Sequence, residues 1–348
     1  MSNVIDDTYK FTENTTLIAQ YEKLETIFDK PYTFPSTKLT ADVFNNIINN
    51  PNYNNITLPK GCLTAWDYGR ENYYIYDNNT PKCLKFDGVR YAPNNEVYVS
   101  CTTNLPFQVG NTYYYIHWAA YDGTKYSTLV IHDSKILLGF VFTTAPQLIR
   151  ISNLLLEADS VLIFMSKGLT KKNRSYTIEI DHRWDIHGKL TFGAETGYGE
   201  FTWFAFVNDK SRNKETGCVN IWPTGSLSCD DSASIKIYDK YDYYGVPNNT
   251  KKYFSNTNEE TENPIPFNLH GGIFRCNFEE VTLKDFYAYS GTIKIECPTT
   301  FVTGYISDDI VWTTDGNRTL KLGTKVEISE AAKTKIKDAG INLVISDS

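Results

Sequence analysis

Apolar residues stand four, three and four positions apart at Leu17, Tyr21, Leu24 and Phe28, a spacing that lines one face of a helix, which Pro31 ends. A second short helix is predicted from Thr40 as its N-cap through Val43, Phe44, Ile47 and Ile48 to Pro51. Two heptads are too few for a coiled coil. Residues 1–61 therefore read as a helical arm packed on its own body or on a neighbour, with Leu17, Tyr21, Leu24 and Phe28 as its assembly face.

From Cys62 onward the period changes to two. Short β-rich runs follow one another: Tyr73–Tyr76, Val97–Val99, Thr112–Ala120, Tyr126–Ile131, Ile136–Phe142 and Val161–Met165. Asp87-Gly88 and Asp122-Gly123 sit between such runs, where tight hairpins need positive φ. A second set runs from Tyr176–Trp184 through Lys189–Phe192, Phe201–Val207, Cys218–Trp222, Ser234–Tyr238 and Ile273–Phe278 to Thr292–Cys297. The expected fold is mainly β, with two antiparallel β-sandwich domains of jelly-roll or immunoglobulin-like type over 62–170 and 171–300. Residues 239–266, polar and crowded with Tyr241, Tyr243 and Tyr244, read as a contact element or a poorly ordered loop. Residues 301–348 predict a small β-α-β tail, its helix capped by Ser329 and closed by Gly340.

Composition narrows the function. Tyr (25), Phe (19) and Trp (6) are abundant, and such rings favour strands and contact surfaces. A net charge of −7 without clustered Lys and Arg argues against binding a phosphate backbone. No run reaches the roughly 18 apolar residues of a spanning helix, and Met1–Asp7 lacks the charged and apolar parts of a signal peptide. The expectation is a protein made and kept in the cytosol unless it leaves by lysis or inside an assembled particle. Seven Cys without a CxxC pair read as reduced, part-buried thiols.

The sharpest chemical cluster is Glu179, Asp181, His182, Asp185 and His187, all of metal-ligand type. Strand alternation explains it without a metal: Ile178, Ile180, His182, Trp184 and Ile186 fall on one face and the acidic residues on the other. Only Asp185 and His187 could share a face and a ligand. Nucleophile-elbow, phosphate-loop, HExxH and EF-hand patterns are absent, and Gly271-Gly272 after His270 reads as a strand-entry turn. No cofactor is implied and no catalytic residue is assigned.

Aromatic surface is what remains. Tyr113, Tyr115, His117 and Tyr121 alternate against Tyr114, Ile116 and Trp118, so one strand carries rings on both faces. With Tyr241, Tyr243 and Tyr244, the residues Tyr113, Tyr115 and Tyr121 are the expected glycan or subunit contacts. The arm Thr16–Phe28, the Asn-rich and Tyr-rich module Glu71–Asn78, the block Phe107–Tyr114 and the tail Val311–Gly316 resemble, in texture, virion proteins of tailed bacteriophages of the collar, tail-ring, fibre or receptor-binding kind. That resemblance implies location in a virion, release by lysis and partners that are other copies of the chain and other virion proteins. Three readings compete: a non-enzymatic structural or adaptor component, a glycan-binding or receptor-binding module, and a polysaccharide-degrading enzyme with paired carboxylates. The first leads.

Overall fold

A computed structural model describes residues 27–37, 39–62, 75–89, 98–99, 108–109, 112–141, 147–167, 174–194, 201–206, 217–229, 252–256 and 264–346. The protein is mainly β, and its strands run parallel. Most pair not with their sequence neighbours but with the strands one coil earlier and one coil later. Thr128–His132 lies between Cys83–Asp87 and Asn153–Leu156, in register, and Val161–Lys167 lies between Lys135–Val141 and Lys189–Ala194. Among the described strand pairings, only Gln108–Val109 with Thr112–Trp118 is antiparallel. The chain is thus a three-walled parallel β-solenoid.

One coil shows the plan. Gln147–Ile151 forms the first wall, Asn153–Leu156 the second and Val161–Lys167 the third, after which Arg174–Glu179 starts the next coil directly beside Gln147–Ile151. Near the C-terminus single strands bend across two walls: Phe267–Cys276 and Phe286–Ile295 supply the second and third, Thr299–Ile306 and Thr319–Ile328 the first and second.

This overturns the antiparallel sandwiches. Alternating apolar residues specify one buried face, and a solenoid wall has the same alternation as a sandwich strand. Inward-facing residues stack into continuous columns. Leu84, Leu129, Leu154, Trp184, Val219 and Phe267 follow one another on the second wall, and Ile136, Leu162, Leu190, Leu227, Phe274, Ile293 and Trp312 on the third. All are buried, in one core that runs past residues 170 and 300 without a break. Asp122-Gly123 does make a tight hairpin: Asp122 Oδ1 accepts from the N–H groups of Thr124 and Lys125, and Tyr121 bridges Tyr126. Asp87-Gly88 instead turns a corner between parallel walls.

Helices sit at both ends. In the first coil α1 (Ala41–Ile48) follows Pro31–Thr33 and turns Phe44 and Ile48 into the core, with the Thr40 hydroxyl accepting from Val43 N–H. Buried Lys82 donates to the carbonyls of Ile48 and Asn50, satisfying the helix's last turn. In the last coil α2 (Glu330–Asp338) stands where the third wall would be, with Ala332 and Ile336 buried. Ser329 Oγ accepts from Ala332 N–H at 3.0 Å, and Gly340 takes φ +80° past its end. The strand Asn342–Ser346 then returns beside the first-wall half of Thr319–Ile328.

Of the expected assembly face, Leu17, Tyr21 and Leu24 lie outside the described residues. Phe28 is buried against the outside of the second wall with Cys83, Val130 and Leu155, and Lys125 Nζ stands 5.3 Å over its ring. There the wall is apolar on both faces, and the chain covers its own surface.

Candidate functional site

Further along, the same wall turns polar and aromatic on its outer face. From Cys83–Asp87 onward, the outward position at or just past the end of successive second-wall strands carries Asp87, His132, Glu157, His187, Trp222 and His270, with Tyr289 on the next coil. The ladder's own backbone bonds align them: Glu157, His187 and Trp222 each donate an N–H to a carbonyl of the coil before, those of Ile131, Leu156 and Ile186. Three of the five histidines of the sequence thus stand in one row.

Glycine makes the row possible. It is followed, at the corner into the third wall, by Gly188, Gly225, Gly272 and Gly291. A Cβ on Gly272 would lie 2.3 Å from the carbonyl oxygens of Gly225 and Trp222, and one on Gly291 2.4 Å from that of Gly272. Coils meet too closely at this corner for any side chain.

Two parts of the row differ in chemistry. At one end His132 bridges two carboxylates, Nδ1 at 2.6 Å from Asp87 Oδ1 and Nε2 at 3.4 Å from Glu157 Oε2. Beyond it the rings stack nearly parallel. His187 to Trp222 is 5.6 Å between centroids at 6°, Trp222 to His270 4.5 Å at 17°, and His270 to Tyr289 5.1 Å at 9°. Tyr305 follows at 6.0 Å and 40°. Within the stack each face is covered by the next ring, so the rings present their edges outward. The tilt between Tyr289, 44 % exposed, and Tyr305, 37 % exposed, opens ring faces as well.

A second row runs alongside. Asp185 accepts from Asn220 Nδ2 at 3.1 Å, from Trp222 Nε1 at 2.8 Å and from Arg183 Nε at 2.9 Å; Asn268 Nδ2 donates to Asn220 Oδ1 at 3.0 Å. Tyr287 and Tyr305 continue this row in register. The buried Asp185 carboxylate is an anchor that fixes the amides and the indole. Burial pushes the His187 and His270 imidazoles below their ordinary pKa, against the pull of Asp185 and together with Arg183. They are neutral rings at neutral pH, each offering a donor and an acceptor.

Asp185 and His187, the expected ligand pair, do share the outer face, but they engage Trp222 in different ways: one takes its N–H, the other stacks on its ring. Among the described residues no three His, Cys, Asp or Glu side chains converge on a metal position. The run 178–187 is two strands and a corner. Ile180, Trp184 and Ile186 are buried in the core, while at the corner the His182 ring stacks on Tyr126 at 4.5 Å and its Nδ1 meets Asn153 Oδ1 at 2.7 Å. Tyr121, 42 % exposed, stacks on Tyr126 in turn at 4.3 Å. Tyr113 and Tyr115 belong to the first-wall strand Thr112–Trp118, and their side chains lie outside what is described. So do Tyr241, Tyr243 and Tyr244.

A second cluster has the residue types of a hydrolase. Ser127 Oγ donates to Asp77 Oδ2 at 2.5 Å, and His117 Nδ1 is 3.3 Å from Asp77 Oδ1. Here the hydroxyl bonds the carboxylate instead of the imidazole, and Asp77 also takes Ala120 N–H at 2.6 Å. All three side chains are buried. This is a corner clamp, not a nucleophile with its base.

Comparison of the chain with family models, with curated proteins and with solved structures gives no match. Among the described residues no helix is long and apolar enough to cross a membrane.

Proposed function

We propose that this chain is a non-catalytic binding protein that holds an extended, uncharged glycan along the outer face of its second wall. The observation that carries this reading is the double row from Asp185 and His187 to Tyr289 and Tyr305. It places a polar or aromatic side chain on each of five successive coils, with amides at Asn220 and Asn268, over four strand spacings or about 19 Å. A polymer of hydroxyl-bearing rings needs such a repeat of donors, acceptors and flat apolar surface. A polyanion needs unpaired cations, and Arg183 in this face is paired with Asp185. Hydrolysis needs a free carboxylate pair, and the Asp185 carboxylate is held by three donors.

A screen of the purified chain against neutral and acidic polysaccharides tests this. Retention by a neutral polymer, lost in Tyr289→Ala/Tyr305→Ala and kept in Tyr121→Ala, is expected. Retention by acidic polymers alone, or equal retention by both variants, would contradict it.

The virion reading is compatible with a glycan-binding surface, since a particle component that touches a host envelope would carry one. The resemblance in sequence texture supports it.

A further inference from the structure

The strand Asn342–Ser346 is bonded along one edge only among the described residues, to Thr319–Ile328. It stands one rung beyond the second wall, whose last described strand is the Val326–Ile328 half of Thr319–Ile328. In a parallel pair alternate residues bond to the same side. Asn342 N–H donates to the Arg318 carbonyl, so the amides and carbonyls of Leu343 and Ile345 face away from the sheet. Their side chains continue the inward columns of Leu320 and Leu322, and Ile345 is 48 % exposed, with no coil over it among the described residues.

Protein edges are ordinarily guarded by Lys, Pro or a bulge. At the other end Pro31–Thr33, the edge strand among the described residues, begins with proline. Asn-Leu-Val-Ile-Ser has none of these.

We propose that Asn342–Ser346 pairs antiparallel with the same strand of a second copy of this chain, joining two solenoids end to end about a two-fold axis. The parity of the strand suits this occupant and sets the register. With Leu343 opposite the partner copy's Ile345, the four outward-facing backbone groups of each strand meet complementary groups, and all five residues find a partner. Val344 then faces its own copy in a non-hydrogen-bonded pair, with Cα atoms about 4.5 Å apart. The pairing is isologous, so it closes as a dimer and forms no fibre. The wall charge nearest the axis, Lys321, sits one rung back opposite Val344. Its two copies stand three strand spacings or about 14 Å apart, beyond the Debye length of about 8 Å at physiological ionic strength. This proposal is independent of the glycan reading and would survive its failure.

Sedimentation velocity of the full 348-residue chain across a hundredfold concentration range, with Ile345→Lys alongside, tests the association. The expected result is a dimer that Ile345→Lys reduces to monomer with an unchanged circular dichroism spectrum. Val344→Cys tests the register, because Cα atoms at that separation suit a disulfide. Oxidation is expected to give a dimer whose peptide map contains the 344–344 link, whereas Val311→Cys, exposed on the third wall, gives no 311–311 link. A chain that stays monomeric throughout, a dimer that survives Ile345→Lys, or a map without the 344–344 link overturns the proposal.

Discussion

Trp222 lies face to face with His270, ring centroids 4.5 Å apart, although 48 residues separate them in sequence. The indole also donates its N–H to Asp185, one coil back on the other side. One side chain therefore joins three coils. Trp222→Phe keeps the stack and deprives a buried carboxylate of a donor, which costs about 1–3 kcal/mol. Trp222→Ala loses the packing as well and is expected to cost more. Urea unfolding of both variants measures the two steps, and equal losses would show that the hydrogen bond carries the whole effect.

The histidines of the row set a pH dependence. Burial lowers the pKa of His187 and of His270 in the folded chain, while the unfolded value stays near the ordinary 6.5. Between the two values the unfolded chain binds more protons, so stability is fully present above about pH 6.5 and is lost as the pH falls below it. Melting temperatures from pH 5 to 8 are expected to fall on the acid side, and to fall less in His187→Gln/His270→Gln.

Arg150 is buried between two carboxylates, its guanidinium bidentate to Asp181 at 3.1 Å for both bonds and 3.0 Å from Glu179 Oε2. Arg150→Met would take the cation from between both acids, leaving Asp181 the Ser152 hydroxyl, at a cost of about 3–5 kcal/mol. Adding Asp181→Asn to that variant is expected to restore part of the loss, read by chemical unfolding.

The corner glycines make a steric prediction. Gly272→Ala forces a methyl group onto two backbone oxygens 2.3 Å away, and should destabilise by about 2–4 kcal/mol. Gly316→Ala, where a Cβ meets nothing within 4 Å, should cost little.

Burial pushes the thiol of Cys83 up to about 12 and that of Cys297 up to about 11, and the six described cysteines form no disulfide. Both thiols should resist iodoacetamide at pH 8 in the native protein and react only after unfolding, since the thiolate is the nucleophile. Peptide mass mapping before and after denaturation checks this.

Period-two alternation makes the β class legible, and the capping residues Thr40 and Ser329 mark where both described helices start. What alternation does not encode is which strand lies beside which. The step between paired coils is 25 residues from Thr128 to Asn153, 48 from Val219 to Phe267 and 19 from Phe267 to Phe286, so insertions hide the repeat that would have revealed a solenoid. A corner at 180–182 passed for continuous strand. The site was half legible: Asp185 and His187 share a face by parity, while Trp222, His270 and Tyr289 join them only through register. A usable signal was present in the ring residues that a glycine follows within three positions, at His187-Gly188, Trp222 to Gly225, His270-Gly271 and Tyr289 to Gly291.

Hydrogen–deuterium exchange of the full chain, with and without a neutral polysaccharide that it retains, tests the binding surface most directly. The expected result is added protection at 220–222, 268–270, 287–289 and 305, on one face of successive coils. Protection confined to the hairpin around Tyr121 and Tyr126, or none along the second wall, would contradict it.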